Sequence, residues 1–213
     1  MDLILMRHPP PSVAPNVCYG RTDLDVDPSR FDAAVASMQA RLTALLDGRR
    51  PTAVHSSPLR RARRAAEGIA ASFALPVTED ARLAEMHFGA WEMQPWAAID
   101  RNALEDWARN VATFAPPGGE SARDVVLRMD AWARAIARTA SAASAMGAMS
   151  AMSVVSDEAV HVAVTHAGPI RLHVATALQM PSTACLPWTL DFGGICHLHV
   201  ARDGRARLIH WNA

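Results

Sequence analysis

The sequence predicts an α/β fold, specifically a three-layer α/β/α sandwich with a largely parallel central sheet. Two observations lead to this prediction. Short apolar runs typical of buried strands recur along the chain, and several are separated by segments whose apolar residues repeat at helical spacing. Strands that alternate with helices form parallel sheets covered on both faces. The predicted strands are residues 3–6, 53–54, 160–165, 195–200 and 206–210.

Three helices are predicted between these strands, over residues 31–46, 59–73 and 121–140. The second helix has a start signal, because the Ser57 hydroxyl can cap free amides and Pro58 suits the first helical position. Residues 86–117 are rich in tryptophan and poor in strand pattern, which predicts a helical excursion over the sheet edge. The Ala, Ser and Met tract at 139–153 predicts a helix end and a mobile loop.

Composition and charge favour one catalytic domain spanning residues 1–213. Half of these residues are apolar, which suffices for a sizeable core. The 21 basic residues, all of them arginine, balance 21 acidic ones, so the chain has no basic excess with which to bind nucleic acid or an anionic membrane. We see no export signal at the amino terminus and no apolar run long enough to span a bilayer.

The cysteines indicate a reducing compartment. Cys18, Cys185 and Cys196 are odd in number and lack the spacing of a metal or redox site, which favours free thiols. We therefore expect a cytoplasmic protein. The sequence is compatible with a homodimer and does not fix the oligomeric state.

A first candidate site lies where the first predicted strand ends. The apolar run stops at Arg7 and His8, and three prolines that cannot extend a hydrogen-bond ladder follow. In open α/β sheets, ligands bind at the carboxyl edge of the strands. Taken alone, the pair also fits a core strand with an incidental polar end.

Two other segments place polar residues in comparable positions. The predicted strand that precedes His166 ends at this residue, so two histidines lie at strand ends. Residues 56–62 place arginines in the first turn of a helix that follows a strand, where the free helix amides also favour an anion. Helix geometry lets only one of two adjacent arginines face the sheet edge, so we expect Arg61 in the site and Arg60 in solvent.

Two further segments carry candidate groups. Glu85 is set among apolar and aromatic residues, where desolvation would favour its protonated form and suit a general acid; alone, it also fits a surface charge or a helix cap. In the loop at 19–24, Gly20 permits close backbone approach to a ligand and Arg21 could reach it. An ordinary polar turn explains that loop equally well.

Two histidines and two arginines at one sheet edge need a partner that offsets the cost of their burial. A phosphoryl group supplies that partner. A metal site is less favoured, because arginine is not a ligand and its charge opposes a cation. Nucleophilic Cys–His chemistry also fits poorly, because none of the cysteines lies at a comparable strand end. We therefore predict neither a metal nor a cofactor.

Together these residues resemble the histidine phosphatase superfamily, also called the phosphoglycerate mutase-like family, whose first strand ends in Arg-His-Gly. The resemblance covers most of the chain, and the order and spacing of the motifs are specific. The matching motifs are Arg7-His8, Ser57-Pro58-Leu59 with Arg61-Ala62, Glu85 with Phe88-Gly89 and Trp91-Glu92, and Thr165-His166-Ala167-Gly168 with Ile170-Arg171. Residues 19–24 and 116–121 most resemble the alpha-ribazole phosphatase branch.

The resemblance implies a role for each residue of the site. His8 is expected to be the nucleophile that becomes phosphohistidine, and the phosphoryl oxygens are expected to be held by Arg7, Arg61 and His166. Glu85 is expected to protonate the leaving alcohol and then to activate the attacking water. The residues expected to contact substrate are Asn16, Gly20, Arg21 and Ala167.

The chain departs from the family pattern at three positions. Pro9 stands where the family has the glycine after the catalytic histidine, and it removes a backbone donor there. Ala14 stands at the usual phosphate-contacting asparagine, for which the nearby Asn16 is a candidate substitute. Met93 stands where glycine often follows the Trp-Glu pair.

The activity implied is a metal-independent phosphomonoesterase for a small-molecule phosphate, with alpha-ribazole 5'-phosphate as the best single substrate. A phosphoglycerate-type mutase is the nearest alternative, although mutases of this family carry longer insertions. Phosphohistidine protein phosphatases tend to be shorter and to lack the Glu85 segment. A phosphate-binding regulatory protein with reduced turnover is a further alternative, prompted by Pro9.

Overall fold

The computed structural model describes residues 1–148 and 159–213, and only the backbone of residues 140–148. The α-helices of this part of the chain are α1 (Phe31–Leu46), α2 (Arg60–Ala71), α3 (Arg101–Arg109), α4 (Ala122–Ala148) and α5 (Ala167–Ala177). Its strands are β1 (Asp2–Arg7), β2 (Val17–Cys18), β3 (Ala53–Ser56), β4 (Val77–Glu79), β5 (Gln94–Pro95), β6 (Val160–Thr165), β7 (Ile195–Val200) and β8 (Ala206–His210).

Within the described residues, the central sheet has six strands in the order β4-β3-β6-β1-β7-β8. The first four of these pair in parallel, whereas β7 runs antiparallel to both of its neighbours. Helices cross between the consecutive parallel strands, as parallel pairing requires. The predicted largely parallel sheet is therefore confirmed.

Strand β1 shows how the sheet is covered on both faces. Successive side chains of a strand point to opposite faces. Leu3 and Leu5 accordingly pack with α4 and α5, whereas Ile4 and Met6 pack with α1 and α2. All four side chains are fully buried. The predicted three-layer sandwich is confirmed, and β1 is a rigid base for the polar residues that follow it.

The predicted start of α2 is wrong. The helix begins at Arg60, with Leu59 rather than Ser57 in the cap position, and the amide of Arg60 donates to Asp23 Oδ1 at 2.7 Å. Strand β3 continues to Ser56, beyond the predicted end at residue 54. The hydroxyl of Ser57 is therefore close to the end of β3, where it contacts His166 instead of capping the helix.

Other boundaries also differ from the predictions. Helix α4 continues to Ala148 rather than ending near residue 140, consistent with the high helix propensity of its alanines. Residues 149–153 of the tract in which a mobile loop is predicted lie outside the described residues. Strands β2, β4 and β5 have two or three residues each, too few to show a period-two pattern in sequence.

We name residues 86–117 the cover, after the excursion that the sequence predicts there. They contain 3₁₀ turns at Gly89–Trp91 and Trp96–Ala98, strand β5 and helix α3. No residue of α3 is buried, yet its Trp107 packs in an aromatic cluster that is separate from the main core. The predicted helical excursion thus contains one α-helix among turns and loops. None of the described helices is long and apolar enough to cross a membrane.

Candidate active site

The two histidines meet at the carboxyl edge of the sheet. Arg7 is the register partner of Thr165 in the parallel pair formed by β1 and β6, so the residues that follow, His8 and His166, are neighbours. Their ring centroids are 4.9 Å apart. Both side chains are almost completely buried. The topology therefore explains why two residues so distant in sequence share one site.

His8 is held in one tautomer. Its Nδ1 lies 2.6 Å from the carbonyl oxygen of Pro9, and this hydrogen bond requires the proton to be on Nδ1. Nε2 then carries the lone pair and accepts from Arg61 Nε at 3.3 Å. Burial, together with the Arg61 charge, holds the pKa of His8 well below its usual value. His8 is thus a neutral imidazole with Nε2 available as a nucleophile.

Arg61 is fully buried in the first turn of α2. Its Nη1 donates to the carbonyl of Thr22 at 2.7 Å and its Nη2 to that of Gly20 at 2.6 Å. No carboxylate pairs with Arg61 among the described residues, so its charge is available to an anion. The neighbouring Arg60 is half-exposed and pairs with Asp23, as expected from the helix geometry.

Arg7 is held by the loop that precedes β7. Its Nη1 donates to the carbonyl of Leu190 at 2.5 Å, and its guanidinium lies 3.7 Å from the ring centroid of Phe192. Phe192 also contacts the His8 ring, at 5.6 Å between centroids. Arg7 Nε has no hydrogen-bond partner among the described residues. The loop thus orients a donor that remains available for a ligand.

His166 is bonded through Nε2 to the hydroxyl of Ser57 at 2.8 Å. Its Nδ1 is buried and has no partner within the described part of the chain. Burial, followed by the nearby His8 and Arg61, holds the pKa of His166 well below its usual value. Ser57 is a site residue that sequence reasoning missed, because the same serine before a helix also matches a cap.

The Glu85 carboxylate faces the start of α5. Its Oε1 accepts from the backbone amide of Met86 at 2.8 Å, and its Oε2 lies 3.5 Å from the amide of Gly168. A Cβ at position 168 would be 2.4 Å from Glu85 Oε1, so only glycine allows this close approach. Glu85 and Arg7 both line the same cavity.

Gly20 and Arg21 support this arrangement from the loop after β2. Gly20 has φ +40° and offers its carbonyl to Arg61, and a Cβ there would be 2.5 Å from Glu92 Oε1. The Arg21 guanidinium forms an ion pair with Glu120 at 2.7 Å, and its Nε lies 3.4 Å from the Glu85 carbonyl. Arg21 is thereby occupied by protein groups.

The remaining predicted substrate contacts differ in their positions. Ala167 begins α5 and lines the cavity. Asn16 is exposed, with φ 61° that asparagine tolerates well, and its carbonyl accepts from the amide of Trp96 at 2.9 Å. The structure therefore brings Ala167 to the cavity and leaves the Asn16 side chain on the surface. Met93, at the family's glycine position, has φ 63°, which explains why glycine is favoured there.

A cavity of about 630 Å³ is lined by Arg7 and Ala167, the chain neighbours of His8 and His166. Its charged lining residues are Arg7, Glu85, Arg171 and Asp191, and the start of α5 also lines it. Its other walls are mainly apolar, and the aromatic side chains among them are Tyr19, Phe88, Trp96, Trp107 and Trp188. Among the described residues, no group of three or more His, Cys, Asp or Glu side chains is arranged to hold a metal ion. The site therefore combines fixed cations, the carboxylates of Glu85 and Asp191, and a large apolar compartment.

A family model described as the histidine phosphatase superfamily (branch 1) matches residues 3–213, nearly the whole chain. The chain belongs to this superfamily. The predicted resemblance and its α/β fold are thus confirmed. The first-strand pair Arg7 and His8 and the second histidine His166, which carried the prediction, meet at one site in the fold of this histidine phosphatase family member.

Curated relatives of this histidine phosphatase family member include two named glucosyl-3-phosphoglycerate phosphatase. The protein from Mycolicibacterium vanbaalenii is 33% identical over 130 residues, which are 59% of this chain and 55% of the relative. The protein from Mycobacterium tuberculosis (strain H37Rv) is 37% identical over 112 residues, 51% of this chain and 48% of the relative. The chain spans about half the length of these relatives.

Solved structures match over the whole chain. The native mycobacterial glucosyl-3-phosphoglycerate phosphatase superposes with a TM-score of 0.80 and 26% identity, covering 100% of this chain and 98% of that one. The alpha-ribazole phosphatase from Shigella flexneri gives a TM-score of 0.78 with 22% identity, covering 100% and 96%. The latter similarity establishes a common fold alone.

Proposed function

We propose that this histidine phosphatase family member is a metal-independent phosphomonoesterase that works through a phosphohistidine at His8. The observation that supports this most strongly is the state of His8, a buried neutral imidazole whose Nδ1 proton is fixed by the Pro9 carbonyl. Its Nε2 lies beside Arg61, and Arg7 Nε and His166 Nδ1 have no partners among the described residues. A phosphoryl group would satisfy all of these groups at once.

In the first chemical step, His8 Nε2 attacks phosphorus and the bond from phosphorus to the alcohol oxygen breaks. Arg7 and Arg61 stabilise the charge on the equatorial oxygens, since phosphoryl transfer depends mainly on positioning and electrostatics. Glu85 gives its proton to the departing oxygen, and the alcohol leaves. The guanidinium charges supply the stabilisation that a metal supplies in other phosphatases.

In the second step, water attacks phosphohistidine. The carboxylate of Glu85 takes a proton from this water, the bond between phosphorus and Nε2 breaks, and inorganic phosphate is released. Glu85 is then protonated again and ready for the next substrate. One carboxyl group thus acts as acid in the first step and as base in the second.

We propose alpha-ribazole 5'-phosphate as the substrate. The aromatic walls of the cavity support this assignment, because Trp96, Trp107 and Trp188 can stack on a flat heteroaromatic ring. Glucosyl-3-phosphoglycerate is the second candidate, favoured by the names of the curated relatives. Sugar rings also pack against tryptophan, so the two esters should be compared directly in a phosphate-release assay.

The decisive test of the proposed chemistry is His8→Ala. We expect the variant to lose phosphate release from every phosphomonoester, because the substitution removes the nitrogen that forms phosphohistidine. The parent protein should acquire an acid-labile phosphoryl label that is absent from His8→Ala, which separates an enzyme from a phosphate-binding regulatory protein. Equal rates in the two proteins would eliminate the mechanism, and loss of activity with excess chelator would eliminate metal independence.

A further inference from the structure

Residues 82–87, which carry Glu85, are held by side chains from distant parts of the chain. Beyond Leu83 this segment is neither helix nor strand, so its backbone groups lack regular partners. Arg128 Nη1 donates to the carbonyls of Arg82 and Ala84, each at 2.6 Å, and Nη2 donates to that of Glu85 at 3.1 Å. The side-chain hydroxyl of Thr165 donates to the carbonyl of Leu83 at 2.5 Å.

Arg128 is anchored in turn by Glu120. Its Nε donates to Glu120 Oε1 and its Nη2 to Oε2, both at 3.2 Å. With the three carbonyls, these bonds engage all five N–H donors of the guanidinium. The Arg128 side chain is only 14% exposed. Arg128 therefore has no free donor for a ligand, and its role lies in holding the backbone.

Glu120 fixes the other end of the same segment. Its Oε2 accepts from the amide of His87 at 3.1 Å, and its own amide donates to the carbonyl of His87 at 2.8 Å. Arg21 also binds this carboxylate, at 2.7 Å. Arg128 thus holds the backbone up to Glu85, and Glu120 holds it two residues later.

The Glu85 side chain depends on this backbone for its position. Its carboxylate has one short contact with the described residues, the amide of Met86, and a weak one with Gly168. A general acid must lie within hydrogen-bond reach of the oxygen it protonates. A displacement of about 1 Å at such a group can lower the rate about a hundredfold.

We infer that Arg128 and Glu120 are positioning residues that set the location of the acid Glu85 for leaving-group protonation. This inference rests on the proposed function. A planar guanidinium is needed, because it can donate to several convergent carbonyls while it pairs with a carboxylate in two bonds. Lysine has one charged nitrogen and cannot reproduce that geometry.

The test measures kcat/KM for two esters that differ in their need for an acid. The phenolate of para-nitrophenyl phosphate departs without protonation, whereas the alcohol of ethyl phosphate must be protonated. Because kcat/KM includes only steps up to formation of phosphohistidine, the later water step does not obscure the result. Glu85→Gln calibrates the assay. Its kcat/KM should fall at least about a hundredfold for ethyl phosphate, with no such fall for para-nitrophenyl phosphate.

We expect Arg128→Met to lower kcat/KM for ethyl phosphate by about thirtyfold and that for para-nitrophenyl phosphate by less than about threefold. Arg128→Lys should lower kcat/KM for ethyl phosphate nearly as much as Arg128→Met does. Arg123→Met is the matched control, since Arg123 is exposed on the same helix, and it should leave both values unchanged. Glu120→Gln should show the same selectivity with a smaller loss, and it serves as the test if Arg128→Met does not fold.

Two outcomes would overturn the inference and can be told apart. One outcome is that the Arg128 and Glu120 variants lose kcat/KM equally for both esters while Glu85→Gln loses it mainly for ethyl phosphate. The pair then does not position the acid. If Glu85→Gln itself shows no preference between the esters, the acid role of Glu85 fails and the inference fails with it. In both cases the parent protein should still acquire the phosphohistidine label, and His8→Ala should still lack it.

Discussion

At the scale of single residues, the candidate site depends on short approaches that one added methyl group would block. Gly168 is the sharpest case. Its backbone amide lies next to the Glu85 carboxylate, and an added Cβ would come within 2.4 Å of Oε1. The carboxylate is the end of a flexible side chain, so it can move aside without unfolding the protein. Displacement of the acid is then the main consequence.

We therefore predict that Gly168→Ala lowers kcat/KM for ethyl phosphate by about tenfold to a hundredfold. The free energy of unfolding should change by less than about 1 kcal/mol, because alanine is favoured over glycine inside a helix. Steady-state kinetics and urea unfolding of the same preparation check both statements. Gly48→Ala is not a suitable control, because Gly48 has φ +81°, a backbone conformation that strains alanine. An unchanged kcat/KM in Gly168→Ala would show that Glu85 does not act from this position.

The site residues that sequence could predict are those whose position follows from a strand. Arg7, His8 and His166 stand at the ends of apolar runs, and parallel pairing brings such ends together. Ser57 follows β3 but also matches a helix cap in the sequence, and Phe192 lies in a loop, so neither could be identified. Their contacts with His166 and Arg7 arise from chain segments whose relative placement depends on the complete fold.

At the scale of secondary-structure elements, the candidate phosphate site and the apolar compartment are formed by different parts of the chain. Strands β1, β3 and β6 deliver the histidines, Ser57 and the start of α2 to one edge. The apolar compartment is formed largely by the 86–117 cover and by residues 185–191. The cover was predictable only as a region of weak strand pattern, because its aromatic packing is tertiary. Changes in the cover should therefore alter substrate preference more than catalytic chemistry.

Trp107 on α3 provides the test at this scale. We predict that Trp107→Ala raises KM for esters with a large aromatic leaving group about tenfold, because a buried aromatic contact stabilises binding by about 1–2 kcal/mol. The kcat/KM for ethyl phosphate should change by less than about threefold. Phe114→Ala is the matched control, since Phe114 belongs to the same aromatic cluster but is not part of the cavity lining. If Trp107→Ala and Phe114→Ala have equal effects on the kinetics of the aromatic ester and of ethyl phosphate, Trp107 does not determine substrate preference.

At the scale of the whole molecule, histidines buried without a charge link stability to pH. His55 Nε2 and His161 Nδ1 lie 3.1 Å apart between β3 and β6, and the ring of His55 packs on Trp132. Burial, followed by the charge of His55, lowers the pKa of His161 to about 4. Burial also lowers the pKa of His55, against an opposing effect of Asp80. Both histidines are thus neutral in the folded protein near neutral pH.

The direction of the pH dependence follows from proton binding. In the unfolded chain a histidine has a pKa of about 6.5, so between pH 6.5 and 4 the unfolded state binds a proton at position 161 that the folded state does not. The stability contributed by neutral His161 is complete above pH 6.5 and is lost as the pH falls to about 4. The pKa of Asp2 is lowered to about 2, so its contribution is lost only below about pH 4.

We predict that the free energy of unfolding is lower at pH 5 than at pH 7.5, with roughly 2 kcal/mol of the difference due to His161. His161→Gln should remove that part of the difference, because glutamine keeps a hydrogen-bonding group for His55 and takes up no proton. Urea unfolding at the two pH values measures it. His210→Gln, at an exposed position, should leave the difference as it is in the parent protein. His8 and His166 contribute to the pH dependence of stability in the same direction, but both are unchanged in His161→Gln. An equal pH difference in His161→Gln and in the parent protein would therefore contradict the prediction.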